Sequence, residues 1–443
     1  MSAVDHGRSA LLQASATAQA RAIARGDIEA NALLRLQVEA IDRLNPQINA
    51  FIARAQFAAD FDASLQATVA SPLAGSCFAV KDNFDVAGLP TAAGLRAFAR
   101  AAQADAPVVA RRKAAGLHCL GKLNMHPMAL GATNHNADYG DCHNPVRASH
   151  TPGGSSGGSG AAVAAGLCAI ALGTDTMGSV RIPAAYCGVV GFKPSHETLG
   201  LEGVVPLASM LDHIGILARS VGDVTLALQI AAPHLAHHAP ARVRDTPPRL
   251  GVVQDLQALG VSPDVEHAFL SGVRQIQEAT GAVCVPITLS SFDLSAQRRA
   301  GLLLCEAELH PLLAPLIRDQ PSALPVDLLA MMRYIERKSA IDLGQALSQI
   351  ARAAQRFNAF FTDIDAMVLP TAPQVAFRMD EPVPPHQADL TALANMNGAP
   401  AISLPLAVSA GALPVGLQLV GHRGDDLTVL AWASRIEQAL AQA

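Results

Sequence analysis

The sequence predicts an α/β fold in a single compact domain. Half of the 443 residues are hydrophobic and 16% are charged, a balance that supplies a large core and excludes intrinsic disorder. Segments with helical periodicity alternate with short apolar segments typical of buried strands, which favours an α/β architecture. No internal repeat is evident, so we predict one domain over residues 1–443.

Helices and strands follow from local patterns along the chain. Apolar residues at helical spacing predict helices over 9–24, 29–44, 108–115 and 427–440. Short apolar runs predict strands over 78–80, 118–121, 249–253, 367–370, 401–404 and 415–420. The pair Asn45-Pro46 is expected to end the second helix, and the Pro- and His-rich stretch 233–248 is expected to be a surface excursion.

Residues 151–160 read TPGGSSGGSG and admit three interpretations. The tract could be a flexible linker, an anion-binding loop or a catalytic loop. It is followed at once by AAVAAGLCAIAL, whose small side chains suit a tightly packed helix, and this favours close backbone approach over flexibility. No Lys-Ser/Thr pair follows the glycines, which weakens the phosphate-loop interpretation.

A second segment, LGTDTMGSVRIPAAYCGVVGFKPS at 172–195, decides among them. Together with the first tract it resembles the amidase signature family of serine hydrolases. The segments AVKDNFDVAGLPTAAG and GAPAISLPLAVSAGALPVGLQLVG fit the same family, and the resemblance runs from about residue 10 to residue 440.

The resemblance implies a mixed central β-sheet covered by helices on both faces. Its implied regions are N-terminal helices at about 9–45, a signature core at about 75–225, a variable substrate-pocket region at about 235–395, and C-terminal strands and a helix at about 396–443. Within the variable region and just before the tract, the segments 126–143, 300–345 and 372–393 are expected to build the substrate pocket.

The resemblance also implies the catalytic residues. Ser179 would be the nucleophile, Ser155 the bridging serine, held in a cis peptide with Gly154, and Lys81 the base. A serine hydroxyl is a weak nucleophile until a base takes its proton, and lysine can do so only when it is neutral. Burial behind the strand at 78–80 is expected to lower the pKa of Lys81 and so to make it a base near neutral pH.

Further positions are implied around these three. Backbone N–H groups of Thr176, Met177, Gly178 and Ser179 would bind the oxyanion, and Met177, larger than the residue in many relatives, could crowd the acyl site. Ser156 would support the network, and Asp175 with Arg181 would form a structural ion pair. Met125 and Asn134 are candidates for substrate contact.

Composition excludes several other functions. The net charge is −5 without long runs of like charge, so we predict no nucleic-acid partner. No segment has the length of a membrane span and no signal peptide is evident, so we expect a cytoplasmic protein without a membrane partner. The seven scattered cysteines suggest reduced thiols, and we predict neither a cofactor nor a metal, including at His234, His237 and His238.

The function expected from the sequence is hydrolysis of a small carboxylic or ureido amide to an acid plus ammonia or amine. Two alternatives stay open: a glutaminase-type subunit of a tRNA-dependent amidotransferase, and a biuret- or carboxybiuret-type ureido amide hydrolase. Met125-His126-Pro127 stands where the amidotransferase subunits usually carry an acidic residue, which favours a free-standing enzyme. The expected partners are a small-molecule amide substrate and either a second copy or a small accessory subunit.

Overall fold

The computed structural model describes residues 10–57, 69–237 and 247–441. Thirteen strands occur in this part of the chain, and eleven of them form one central sheet. The strands are β1 (Phe51–Arg54), β2 (Cys77–Lys81), β3 (Pro90–Thr91), β4 (Arg100–Ala101), β5 (His118–Leu123), β6 (Ile170–Asp175), β7 (Val190–Lys193), β8 (His213–Ala218), β9 (Arg249–Val253), β10 (Val283–Ile287), β11 (Ala366–Pro370), β12 (Ala401–Pro405) and β13 (Gly416–Val420).

The central sheet is mixed, as the resemblance implied. Its order is β1-β5-β2-β6-β8-β7-β12-β13-β11-β9-β10, and β3 and β4 form a separate two-stranded sheet. Strands β5, β2 and β6 are parallel at one end, as are β11, β9 and β10 at the other. The remaining neighbours are antiparallel, so the middle of the sheet joins two parallel groups.

Twelve α-helices in the described residues pack around this sheet. They are α1 (Ala16–Ala24), α2 (Ala30–Ile48), α3 (Pro107–Ala114), α4 (Gly157–Ala164), α5 (Arg181–Cys187), α6 (Val221–Ala231), α7 (Pro263–Thr280), α8 (Leu294–Asp319), α9 (Val326–Ile335), α10 (Ala340–Phe360), α11 (Ala392–Asn397) and α12 (Asp426–Ala441). The predicted α/β class is therefore confirmed.

Both faces of the sheet are buried, each in its own core. In β2, Phe78 and Val80 join one apolar cluster, whereas Cys77 and Ala79 join another. Successive side chains of a strand point to opposite faces, so this alternation places one cluster on each side of the sheet. Helices covering both faces explain why residues 77–80 of this strand are all apolar.

The predicted strands and the helices at 108–115 and 427–440 correspond to elements of the structure within a few residues at each end. Two helix boundaries differ. The predicted helix over 9–24 is interrupted: residues 10–12 are helical, and α1 begins again at Ala16, where the Ser15 hydroxyl caps it by accepting from Ala18 N at 3.1 Å. Helix α2 continues through Pro46 to Ile48 and ends at Asn49, which has left-handed backbone angles. A proline near a helix end removes only one intrahelical hydrogen bond, so the predicted stop at Asn45-Pro46 is wrong.

Helix α8 is long and apolar enough to cross a membrane by length and composition alone. It also contacts α9, α10 and α11. Its residues Leu304, Cys305, Leu309 and Leu313 are buried. Apolar side chains in a helix that packs against other helices are explained by the protein core. The Pro- and His-rich excursion begins with a short 3-10 helix over Pro233–His237, and residues 238–246 lie outside the described residues.

The Gly/Ser tract is a packed segment in this fold, and its glycines are required by close approach. A Cβ on Gly158 would lie 2.5 Å from Asn124 O and 2.6 Å from Asn124 N. Backbone atoms cannot move aside as a flexible side chain can. We therefore expect Gly158→Ala to destabilise the protein by about 1–3 kcal/mol, the usual cost of overpacking.

Chemical denaturation of Gly158→Ala and of Gly222→Ala tests this expectation. Gly222 is an exposed position in α6, where an added Cβ would meet only Ser220 Oγ, at 3.8 Å. Alanine there should leave the free energy of unfolding unchanged or raise it slightly, because it favours the helix. Equal stability of the two variants would contradict the close packing of the tract.

Candidate active site

Lys81 stands at the end of β2 with no exposed surface. Its Nζ lies 2.7 Å from Ser155 Oγ and 2.8 Å from Thr174 Oγ1. Thr174 Oγ1 also accepts from Asn83 Nδ2 at 3.1 Å. The structure thus brings together the predicted base and the predicted bridging serine, which are 74 residues apart in the chain.

Burial lowers the pKa of Lys81 to about 7, whereas the carboxylates of Asp212 and Asp175 act to raise it. Removal from water disfavours the ammonium form more than the two carboxylates favour it. A substantial fraction of the lysine is therefore the neutral amine near neutral pH, and a neutral amine has a lone pair that can accept a proton from Ser155.

The peptide bond between Gly154 and Ser155 is cis, as the resemblance implied. Ser155 and Ser156 are also held through their backbones. Ser155 O accepts from His126 N at 3.0 Å, and Ser156 N donates to Ser179 O at 3.2 Å. The Ser156 hydroxyl donates to Thr174 O at 3.2 Å, which agrees with a supporting role.

The turn that carries Ser179 is organised by a buried carboxylate. Asp175 accepts from Gly178 N at 2.7 Å and from Val180 N at 3.1 Å. It also forms an ion pair with Arg181, whose Nη2 lies 2.8 Å from Asp175 Oδ1, and neither side chain is exposed. The predicted ion pair is confirmed. The Arg181 guanidinium, together with other nearby donors, outweighs burial and holds the pKa of Asp175 well below its usual range.

One predicted oxyanion donor is already occupied. Because the Gly178 N–H donates to Asp175 Oδ1, it is not free to bind a substrate oxygen, and this part of the prediction is wrong. The N–H groups of Thr176, Met177 and Ser179 donate to no acceptor in the described part of the chain. These three N–H groups stay candidates for stabilising an oxyanion.

Ser179 is partly exposed, unlike most of the turn around it. Its hydroxyl makes no hydrogen bond with any residue that the structure describes. The turn is linked to the Gly/Ser tract through the backbone, where Ser179 O accepts from Ser156 N. The Met177 side chain packs against α8, where its Sδ lies 2.8 Å from a Cβ built on Gly301. Glycine at 301 therefore makes room for the methionine.

The two proposed substrate contacts are buried. Met125 has no exposed surface and packs in the core beside Gly94. Asn134 is also fully buried and packs against Gly157, and neither of its amide atoms has a hydrogen-bond partner among the described residues. Lys81 and Ser155 are equally buried, so burial does not test substrate contact, which stays a prediction for Met125 and Asn134.

Sequence reasoning missed four residues that complete the site. Thr174 contacts Lys81, and Asp212 accepts from Thr176 Oγ1 at 2.6 Å. Asn395 donates to Asp175 Oδ1 at 2.9 Å, and Thr391 Oγ1 donates to Met177 O at 2.5 Å. Thr174 directly precedes Asp175 in the second motif and could have been noticed, whereas Thr391 and Asn395 follow that turn by more than 200 residues and carry no local signal.

The remaining titratable candidates lie elsewhere. All seven cysteines are free thiols, as expected, and six are buried. No group of three or more His, Cys, Asp or Glu side chains with metal-binding geometry occurs in residues 10–57, 69–237 and 247–441. Of the three histidines at 234, 237 and 238, His238 lies outside the described residues.

Comparison with known proteins places this arrangement in context. A family model described as Amidase matches residues 32–430. A glutamyl-tRNA(Gln) amidotransferase subunit of Anaeromyxobacter sp. (strain K) is 35% identical, covering 98% of this chain and 96% of that protein. A crystal structure of an amidase superposes with a TM-score of 0.86 at 29% identity, covering 96% of this chain and 100% of that one. A structure described as a vestigial protein complex that reveals the origins of an s-triazine catabolic enzyme has a TM-score of 0.85 at 28% identity, covering 96% and 98%.

The position of Lys81 generates a pH prediction. Below a pKa of about 7 the amine is protonated and cannot accept a proton, so activity should fall as the pH drops through that value and rise above it. Lys81→Met removes the amine and should abolish this limb of the profile. Lys81→Arg should be equally inactive, because guanidinium stays protonated under working conditions.

The measurement is kcat/KM as a function of pH for both variants, with Lys113→Arg as the control. Lys113 is a partly exposed lysine paired with Asp105 at 2.8 Å, and arginine can replace it there. A Lys81→Arg enzyme that kept most of its activity would show that only positive charge is needed at this position.

Proposed function

The chain belongs to the amidase family and is an amide-hydrolysing enzyme, and we propose that it cleaves a small carboxylic or ureido amide through an acyl-enzyme on Ser179. The observation that carries this proposal is the buried contact between Lys81 Nζ and Ser155 Oγ at 2.7 Å. A neutral amine buried against a hydroxyl can act as a general base. The residue after Ser155 is hydrogen-bonded to the nucleophile turn, since Ser156 N donates to Ser179 O at 3.2 Å.

The proposed reaction begins with a proton relay. The Ser179 hydroxyl attacks the amide carbon while its proton passes to Ser155, whose own proton passes to the Lys81 amine. In this arrangement Lys81 keeps an N–H to donate to Thr174 Oγ1, which lies 2.8 Å away. Catalytic hydrogen bonds are often longer before substrate binds, so the Ser179 hydroxyl is expected to turn towards Ser155 on binding.

The attack converts the carbonyl oxygen to an oxyanion, which needs hydrogen-bond donors. The free N–H groups of Thr176, Met177 and Ser179 face no other acceptor in the described residues and are the proposed donors. Collapse of the intermediate breaks the C–N bond, and the leaving amine or ammonia takes the proton held by the relay. Water then attacks the ester on Ser179 by the same relay and releases the acid.

A second candidate function uses the same chemistry, but within one subunit of a larger amidotransferase. The relatives named as glutamyl-tRNA(Gln) amidotransferase subunits match this chain over nearly their whole length, and they favour a glutaminase-type subunit over a free-standing hydrolase. The structure described as an amidase, with a TM-score of 0.86, supports amide hydrolysis in either case. A free-standing enzyme is supported by His126, which replaces an acid expected in such subunits and donates its backbone N–H to Ser155 O. The neighbour described as a protein complex supports a partner subunit in either setting.

The nucleophile is tested by Ser179→Ala. The change deletes one partly exposed oxygen, so the fold should persist while kcat falls by about a thousandfold or more, because residues of a relay act as a unit. A fluorophosphonate probe should label wild-type protein at Ser179, located by peptide mapping. Exposed Ser209, replaced by alanine, is the control and should keep full activity and labelling.

Several results would contradict this assignment. Near-normal turnover by Ser179→Ala with an unchanged circular dichroism spectrum would place the nucleophile elsewhere. A label on Ser155 or Ser156 would reverse the roles within the relay.

Whether the protein is an amidotransferase-type subunit or a free-standing hydrolase is tested by measuring ammonia release from L-glutamine and from neutral and ureido amides, including biuret. An amidotransferase-type subunit should hydrolyse glutamine best, whereas a small-amide hydrolase should prefer another amide by about tenfold or more, a difference of about 1.4 kcal/mol. Replacing His126 with aspartate should raise the relative rate with glutamine if that residue type contributes to glutamine selection, and the Ser179 label confirms that the variant is intact.

A further inference from the structure

Helix α8 passes directly over the turn that carries the nucleophile. A Cβ on Gly301 would lie 2.8 Å from Met177 Sδ and 3.3 Å from Met396 Cε, so this face of the helix points at the turn. Arg298 lies one helical turn before Gly301, and residues at that spacing share a face of a helix. The Arg298 side chain is therefore directed to the same side as the nucleophile.

Arg298 is held in place by a buried carboxylate. Its Nε donates to Asp389 Oδ1 at 2.6 Å, and the two side chains are 18% and 6% exposed. Asp389 Oδ2 in turn accepts from Ser295 Oγ at 2.6 Å and lies 3.0 Å from His386 Nδ1. Ser295 and His386 thus hold the Asp389 carboxylate, and the carboxylate positions the Nε edge of the Arg298 guanidinium.

The segment with Asp389 is itself attached to the nucleophile turn. Thr391, two residues later, donates its hydroxyl to Met177 O at 2.5 Å, and its backbone O accepts from Arg181 Nη1 at 3.0 Å. Both elements that hold Arg298, namely α8 and the segment before α11, thus contact the turn that carries Ser179. The Arg298 guanidinium is therefore attached to two elements that both contact the nucleophile turn.

The other end of the guanidinium is open. Only Nε donates a hydrogen bond, and Nη1 and Nη2 have no acceptor among the residues that the structure describes. Because the Arg298 side chain is partly exposed, these two groups are available to a ligand. Two parallel N–H groups in a plane match the two oxygens of a carboxylate, which is the geometry of bidentate binding.

We propose that Arg298 binds a carboxylate of the substrate, so that the amide cleaved at Ser179 also carries a carboxylate group. This inference rests on the proposed function and narrows its substrate class. Dicarboxylic monoamides, carboxylated ureas and glutamine share an amide and a carboxylate in one small molecule. Asp389 is the positioning residue, since it fixes the orientation of the Arg298 guanidinium and does not touch the substrate.

Binding to the inactive Ser179→Ala protein tests the inference without depending on turnover. Calorimetry compares succinamate with succinamide, which has the same shape and no charge, and L-glutamine with its α-amide. We expect each carboxylate to bind at least about tenfold more tightly than its neutral counterpart, as for a charge-assisted bidentate pair. Binding of succinamate alone would point to a dicarboxylic or ureido substrate, and binding of glutamine alone to a glutaminase; either supports the inference.

Arg298→Met in the same background should abolish the preference for the carboxylate, and Arg298→Lys, which keeps the charge but not the fork, should retain only part of it. The control is Arg299→Met, which removes an exposed arginine from the next position of α8 and should leave the preference intact. Equal binding of the charged and neutral probes, no binding of either carboxylate, or a preference unchanged in Arg298→Met would overturn the inference. The Arg298→Met single variant, which retains Ser179, is also treated with the fluorophosphonate probe. Labelling of Ser179 in this variant reports separately on the proposed function.

Discussion

The buried ion pair between Asp175 and Arg181 is the interaction on which the rest of the site depends. Asp175 accepts from the backbone of the nucleophile turn, and Arg181 donates to Thr391 O at 3.0 Å and to Gln418 Oε1 at 2.5 Å. The pair therefore ties the turn to segments more than 200 residues further along the chain. Removing one partner of such a pair costs about 3–5 kcal/mol, because the other charge is left buried. The geometry at Ser179 and the position of the helical layer above it are thus maintained together.

Catalysis requires that a second buried basic side chain, Lys81, can lose its charge. Arg181 is paired with Asp175 by a direct ion pair, whereas the groups within hydrogen-bond distance of Lys81 Nζ in the described part of the chain are both hydroxyls. Without a carboxylate in contact, desolvation dominates and the pKa of Lys81 falls to about 7. One site thus holds a fully charged cation for structure and a neutral amine for catalysis, and the difference lies in what each touches.

Close backbone approach explains the composition of the catalytic tract. A Cβ on Gly154 would lie 2.6 Å from Thr133 N, and one on Gly157 would lie 2.6 Å from Asn134 Cβ. The tract packs against 132–134 and against Asn124, and this places Ser155 within reach of Lys81. The same packing buries Asn134, because Gly157 lies directly against its side chain.

The sequence by itself determined the fold class, six of the thirteen strands that the structure describes, and through its motifs the candidates Lys81, Ser155 and Ser179, because apolar periodicity and short motifs are properties of neighbouring residues. Only the tertiary structure decided that Gly178 N–H is taken by Asp175, that Asn395 and Thr391 complete the turn, and that Arg298 is aimed at it. These facts depend on contacts between segments far apart in the chain. Which donor meets which acceptor, and which side chain is enclosed, is set by how helices and strands pack, and local patterns do not encode that packing.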